Sequence, residues 1–372
     1  MDAHCYDAEV LTRFDEIRSV VPDWEKLALR FESPLLGANW FLACAQTLCS
    51  ESDLRIVVVR SKGVLCAVAP LVVARRDGVE RLEVLGVSVL YEPTGFLYDG
   101  VESLRCLVSK IIALRMPMVL ARIPVDSPIE TTFRGLVRRR GVVLGRRTAS
   151  AAYVNVNGSW EDYFQAISGP RRKRYRYQRK LAERSGQVIM RVARPRSREG
   201  LPVILEQVFR VEGAGWKGRS GSSLLSNERV RRFFTRYSEM ACESGTLLVC
   251  FLEVNGSPIA TILGIEYGQR LWVLKMGYDE QWAPCSPGIQ LTMETIRYAF
   301  EQGLKGYEFL GSEEPWQAIW PRSRHELTSL LLYPMSVPGL LSLCGDLQCF
   351  LMKRAQQTLR HIAFWKRADV SA

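Results

Sequence analysis

Apolar residues recur along the chain at two spacings. The near-continuous runs "LRIVVVR", "GVLCAVAPLVVAR" and "RLEVLGVSVLYE", separated by Gly and charged turns, predict strands. Ahead of them, "WEKLALRF" (24–31) predicts a helix, and "SPLLGANWFLACAQTL" predicts a turn and a second helix with Trp40, Phe41 and Leu48 inward. Next come a helix at "SLRCLVSKIIAL", a strand at "PMVLARIP", a helix to Arg140 and a strand at "VVLG". This order predicts helices flanking a mixed sheet.

At "RRTASAAYVNVNGS" the apolar pattern breaks, which places a boundary near residue 150 between a first domain (1–150) and a second (151–335). Ser159, with Asp162 three residues later, forms a capping box for the helix "WEDYFQAI". The run "TLLVCFLEVNGSPIATILGIEYGQRLWVLKMGYDE" predicts a three-strand antiparallel meander, turned at Asn255-Gly256 and at Tyr267-Gly268-Gln269. In "SPGIQLTMETIRYAFEQG", Ile289, Met293, Ile296 and Phe300 keep the helical period and Gly303 stops it. "GYEFLG" and "RHELTSLLLYP" read as strands. The first half repeats this order loosely, so internal duplication is an open reading without a residue-level repeat behind it.

The remainder, 336–372, predicts an amphipathic helical tail with Leu340, Leu347, Phe350, Leu351 and Ile362 on its apolar side. Pro338, Gly345 and Asp346 interrupt it too often for a membrane span. It either packs on the body or, through Lys353, Arg354, Arg360, Lys366 and Arg367, makes peripheral membrane contact.

A length of 372 residues exceeds what one core normally organises, and 47% hydrophobic with 24% charged residues is a globular composition. The net charge of +11 predicts attraction to phosphate without choosing among nucleic acid, anionic lipid and a phosphorylated small molecule. The start "MDAHCYDAEV" has acids where a signal peptide has cations, so a cytoplasmic location is expected. Ten cysteines without a C-x-x-C pair and three scattered histidines predict no metal site. No GxSxG elbow, Walker loop or H-E-x-x-H occurs, which removes the corresponding hydrolase, NTPase and zinc-protease classes.

Phosphate attraction has a local focus. "SGPRRKRYRYQRKLAERSG" (168–186) packs seven cations into Arg171–Lys180 and is punctuated as one helix by Ser168, Pro170 and Gly186. Tyr175, Tyr177, Leu181 and Ala182 share one half of its wheel, and Arg172, Lys173, Arg176, Arg179 and Lys180 share the other. Arg172, Arg176 and Lys180 repel at i,i+4 spacing, which an anion would relieve; the alternative is a solvated surface helix. A second focus is "GYDEQWAPCSPGIQL", where a strand ending at Tyr278 leads through a loop to a helix capped by Ser286, with first-turn amides across Pro287–Gln290 available to an anion.

Meander, loop, helix and strand in this order resemble the core of the GNAT acyltransferases. "EGAGWKG" (212–218), "SPGIQL", "GYEFLGSEEPW" and "RRKRYRYQRKL" are similar to the CelD-like or BioF2-like branch of that superfamily, related to the Fem aminoacyl transferases. The resemblance implies an α/β fold of mixed α+β type with tandem GNAT-like domains, each a largely antiparallel sheet flanked by helices. It implies N-acyl transfer from acyl-coenzyme A, as donor substrate, to a small-molecule amine acceptor in envelope or polysaccharide-related metabolism. The donor diphosphate would meet Ser286, Pro287, Gly288, Ile289 and Gln290, with Arg172 and Arg176 nearby. Glu212, Lys217, Glu308 and Tyr278 are the catalytic candidates, and Trp216, Trp316 and Trp320 the substrate-contacting ones. Two departures stand out: one glycine follows Gln281 where the family loop has several, and Trp316-Gln317 stands where the family often has Tyr-Lys. A Fem-type transferase gripping tRNA with the basic helix, and a catalytically silent scaffold, are the rival readings.

Overall fold

The computed structural model describes residues 6–369 apart from 77, 139, 216–220 and 222. Its first half runs β1 (Tyr6–Leu11), α1 (Phe14–Ala28), α2 (Ala38–Leu48), β2 (Leu54–Ser61), β3 (Val64–Arg76), β4 (Val79–Val84), α3 (Val87–Leu90), β5 (Leu97–Tyr98), α4 (Val101–Ala113), β6 (Met118–Pro124), α5 (Ile129–Val137) and β7 (Gly141–Asn155). After α6 (Trp160–Ala166) and α7 (Gly169–Glu183) the order recurs. The second half comprises β8 (Val188–Ala193), α8 (Leu201–Gly213), α9 (Glu228–Glu243), β9 (Leu247–Val254), β10 (Ser257–Tyr267), β11 (Arg270–Tyr278), α10 (Pro287–Glu301), β12 (Gly306–Glu308), β13 (Ser323–Pro334) and α11 (Val337–Asp369). Both halves share the sequence strand, two helices, antiparallel meander, helix, parallel strand.

The two half-sheets fuse into one, in the order β1-β2-β3-β4-β6-β13-β7-β12-β11-β10-β9-β8. The pairs β4/β6 and β11/β12 are parallel and the remaining neighbours antiparallel. The halves exchange their last strands. β13, from the second half, lies between β6 and β7, while β7, from the first, lies between β13 and β12. Residue 150 therefore falls inside β7 rather than in a linker. The apolar break there marks a strand whose first part is largely exposed, with Val143 half-buried against the core, and the ladder with β13 stitches the halves together.

Local chemistry fixes the meander. Asn255-Gly256 and Gly268-Gln269 adopt positive φ at both turn positions, the backbone that matches strand twist in two-residue hairpins. β9, "LLVCFLEV", is buried almost throughout because helices cover both faces. On one face, Trp40 of α2 meets Phe233 and Tyr237 of α9 edge-on at 4.9 and 5.0 Å, so a single core crosses from one half to the other. The other face is the second half's own core, with Tyr307, Ile296 and Trp320.

Candidate active site

β11 and β12 stay in register only from Arg270 opposite Gly306 to Trp272 opposite Glu308. Beyond that point Val273–Tyr278 and Phe309–Gly311 diverge, and the wedge between them is a cavity of about 470 Å³ capped by the head of α10. Its wall includes Lys275, Met276, Tyr278, Ser286, Gly288, Ile289, Trp316 and Gln317, together with the acids Glu92, Glu212 and Glu314.

The head of α10 offers a narrower anion seat than its sequence suggests. Ser286 sits in the left-handed region (φ 48°), and its carbonyl accepts the amides of Ile289 (3.0 Å) and Gln290 (3.1 Å). Its hydroxyl is taken by Gln178 Nε2 at 2.5 Å. Pro287 has no N–H, so among the described residues of this first turn Gly288 is the one whose amide has no protein acceptor, and it lines the cavity. A Cβ at Gly288 would stand 3.2 Å from Tyr278 Cδ1, so glycine lets the tyrosine ring lie against the helix. Gln290 is buried and faces away: its amide nitrogen donates to the carbonyls of Gln178 (3.2 Å) and Cys285 (2.8 Å), tying α7 to the loop.

Two acids come from different halves. Glu212 closes α8 and is 2% exposed; its Oε2 accepts the amide of Leu224 at 2.9 Å, anchoring the chain beyond the glycine-rich loop. Gly277 makes this possible, since any Cβ there would be 2.6 Å from Glu212 Cα. Glu92 belongs to the first half. "RLEVLGVSVLYE" is one strand by its apolar pattern, but β4 ends at Val84, Gly86 turns at φ 87°, and Tyr91 at φ 57° swings the chain toward the second half's cavity. There Glu92 Oε2 accepts the amide of Gly311 at 2.7 Å. Burial pushes its carboxyl above the ordinary value, against the pull of that amide, Lys275 and Arg122.

Arg122 holds this wall in place. It is fully buried, donates to the carbonyls of Ala149 (3.2 Å) and Gly311 and to Ser312 Oγ (3.3 Å), and lies 4.5 Å from the Tyr91 ring centroid. One guanidinium from the first half therefore fixes both the Gly311 bend and the segment carrying Glu92. No local periodicity in the sequence marks either residue.

Several sequence candidates lie elsewhere. Glu308, read as a proton acceptor, is 2% exposed below the splay, where it pairs with Arg270 (2.8 Å) and His325 (3.0 Å), the latter stacked on Tyr153 at 4.2 Å. It is placed as a structural ion cluster rather than on the cavity wall. Arg172 donates to the carbonyls of Phe164 and Gln165, and Arg176 lies 5.6 Å over the Phe164 ring, so the end of α6 relieves their repulsion. The buried seam of α7 runs through Gln178 and Ala182, whereas Tyr177 is 60% exposed, opposite to its expected inward position. Trp320 is buried beside Phe309 and Trp316, behind the wall. Trp216 and Lys217 lie outside the described residues. Tyr278, Ser286, Gly288, Ile289, Glu212 and Trp316 do come together around one cavity.

Residues 169–318, which hold the basic helix and all of the cavity wall except Glu92, match the acetyltransferase (GNAT) domain family. That match places a GNAT-like domain within the second half of the chain. FemX superposes with a TM-score of 0.59 at 14% identity, over 91% of this chain and 99% of that one. L-PGS from Bacillus licheniformis gives 0.54 at 13% identity, over 90% and 97%. A conserved protein of unknown function from Bacteroides thetaiotaomicron gives 0.52 at 10%, over 88% and 99%. At such identities these likenesses establish the fold. Among curated proteins none matches the chain. No helix among the described residues is long and apolar enough to cross a membrane.

Proposed function

We propose that the cavity transfers an acyl group from the thioester of acyl-coenzyme A to the nitrogen of an amine. The observation that carries this reading is the Gly288 amide at the head of α10, which has no protein acceptor among the described residues and belongs to a residue lining the wedge between β11 and β12; such a donor suits a phosphate oxygen. Three carboxylates against one lysine on the wall suit an acceptor that arrives as an ammonium ion. Glu92, whose carboxyl burial pushes above its ordinary value, takes the proton that the acceptor must lose before attack. The nitrogen then bonds to the carbonyl carbon, the carbon–sulfur bond breaks, the Tyr278 hydroxyl, which has no protein partner among the described residues, supplies the proton to the departing thiolate, and the second proton that the nitrogen sheds on becoming an amide restores the Tyr278 hydroxyl. Glu212 holds Leu224 against the end of α8 by accepting its backbone amide.

A Fem-type reading, in which the donor is an aminoacyl-tRNA, is favoured by a different observation. Lys173, Arg174, Tyr177 and Lys180 are exposed along α7, and the three cations have no protein partner among the described residues. Cations flanking an exposed aromatic ring suit a phosphodiester strand. Thermal unfolding with coenzyme A, acetyl-coenzyme A, a long-chain acyl-coenzyme A and tRNA, at low and high salt, separates the readings. Acyl-coenzyme A at a hundred times its Kd adds about 2.7 kcal/mol. Stabilisation by tRNA alone, falling steeply with salt, selects the second reading. No shift with any of them leaves a catalytically silent scaffold.

A further inference from the structure

Helix α11 is docked the wrong way round for a soluble protein. Two of its polar residues face the body: Ser342 is fully buried, and Asp346 bonds both Arg81 and the Tyr333 hydroxyl at 2.7 Å. Its apolar residues face out, with Leu340, Leu347, Phe350 and Leu351 each more than half exposed. At about 100° per residue Leu340, Leu347 and Leu351 fall on one line, and Ser342 and Asp346 lie on the opposite side. The sheet extends the patch. Val142 and Leu144 of β7 stand opposite Tyr333 and Leu331 of β13, hence on the face that α11 covers, and both are exposed. Arg146 follows on that face, opposite Ser329.

Charge decides what covers this surface. After Met352 the sequence supplies Lys353, Arg354, Arg360, Lys366 and Arg367 against a single acid, Asp369, with Trp365 among them. A second copy would bring two such cationic segments together in a chain already at +11. An apolar strip followed along the sequence by cations and an indole fits an anionic lipid surface, where leucines enter the acyl boundary and cations meet headgroup phosphates. We propose that α11, with the Val142–Arg146 edge, lies flat on an anionic membrane surface and holds the protein there. Asp346, tethered to Arg81 and Tyr333, fixes the helix with its apolar line outward.

Co-sedimentation of the full chain with vesicles of phosphatidylcholine alone, and of phosphatidylcholine with phosphatidylglycerol, tests this. The anionic vesicles should bind at least about tenfold more tightly, with the difference lost at high salt. The exposed-site variant Leu347→Glu/Leu351→Glu, and separately Arg360→Glu/Arg367→Glu, should release the protein from the vesicles at an unchanged melting temperature. Equal or absent binding to the two vesicle types overturns the proposal, as does binding that survives both variants. So does self-association in vesicle-free buffer, read by sedimentation velocity, that Leu347→Glu/Leu351→Glu abolishes.

Discussion

Replacing Arg270 with Met asks whether Glu308 is a structural ion or a reactive one. Glu308 is 2% exposed, and its two oxygens are spoken for by Arg270 Nη1 at 2.8 Å and His325 Nε2 at 3.0 Å. The arginine reaches it across Gly306, where a Cβ would lie 2.3 Å from Arg270 Nη1. Arg270→Met leaves a carboxylate in the sheet with only a half-exposed imidazole beside it. Removing one partner of a buried pair typically costs about 3–5 kcal/mol, whereas replacing the pair by apolar residues of similar volume is often near neutral. Arg270→Met should therefore lose about 3 kcal/mol or more, and Arg270→Met/Glu308→Leu should recover most of it. Urea unfolding of wild type, both single variants and the double variant gives the coupling directly. A loss under about 1 kcal/mol for Arg270→Met, or a double variant as unstable as the sum of the singles, would refute the structural assignment.

Two further substitutions address the cavity wall. Because burial raises the Glu92 carboxyl, the stability tied to its protonated form is fully present below the ordinary value of 4.5 and is lost as pH rises through the folded value. Glu92→Gln keeps an acceptor for the Gly311 amide, so it should melt higher than wild type at neutral pH and equally at acid pH, while turnover falls about 10²–10⁴-fold; a variant less stable at neutral pH contradicts this. Gly277→Ala forces a Cβ to within 2.6 Å of Glu212 Cα, a backbone atom that cannot rotate aside. It should cost about 1–3 kcal/mol in urea unfolding and abolish ligand-induced stabilisation, and a neutral result would mean α8 does not sit on β11 as described.

The second-half meander and α10 were legible because their signals are local: two turns of positive φ, continuous apolar strands and a proline-glycine helix start. The exchange of β7 and β13 was not, since pairing between residues such as Tyr153 and Ser323 leaves no trace in either strand's own pattern. Glu92 escaped for a related reason. The chain stays apolar through "VLGVSVLY", and only the packing of Gly86, where a Cβ would lie 2.6 Å from Cys44 Sγ, shows that the strand must stop. In α7 the period was right and the phase was not: a buried Gln178, bonded to Ser286, outranked Tyr177 for the inward position. Apolarity alone does not locate a buried amide that has a partner.

Hydrogen exchange read by mass spectrometry, with and without acetyl-coenzyme A, tests the central claim most directly. A donor seated in the wedge should slow exchange in peptides covering Lys275–Gln290 and Phe309–Gln317, with Gly288 among the protected amides, and leave the first-half meander Leu54–Val84 unchanged. Saturating donor without protection at Gly288, or with protection confined to surfaces outside the cavity, would contradict it.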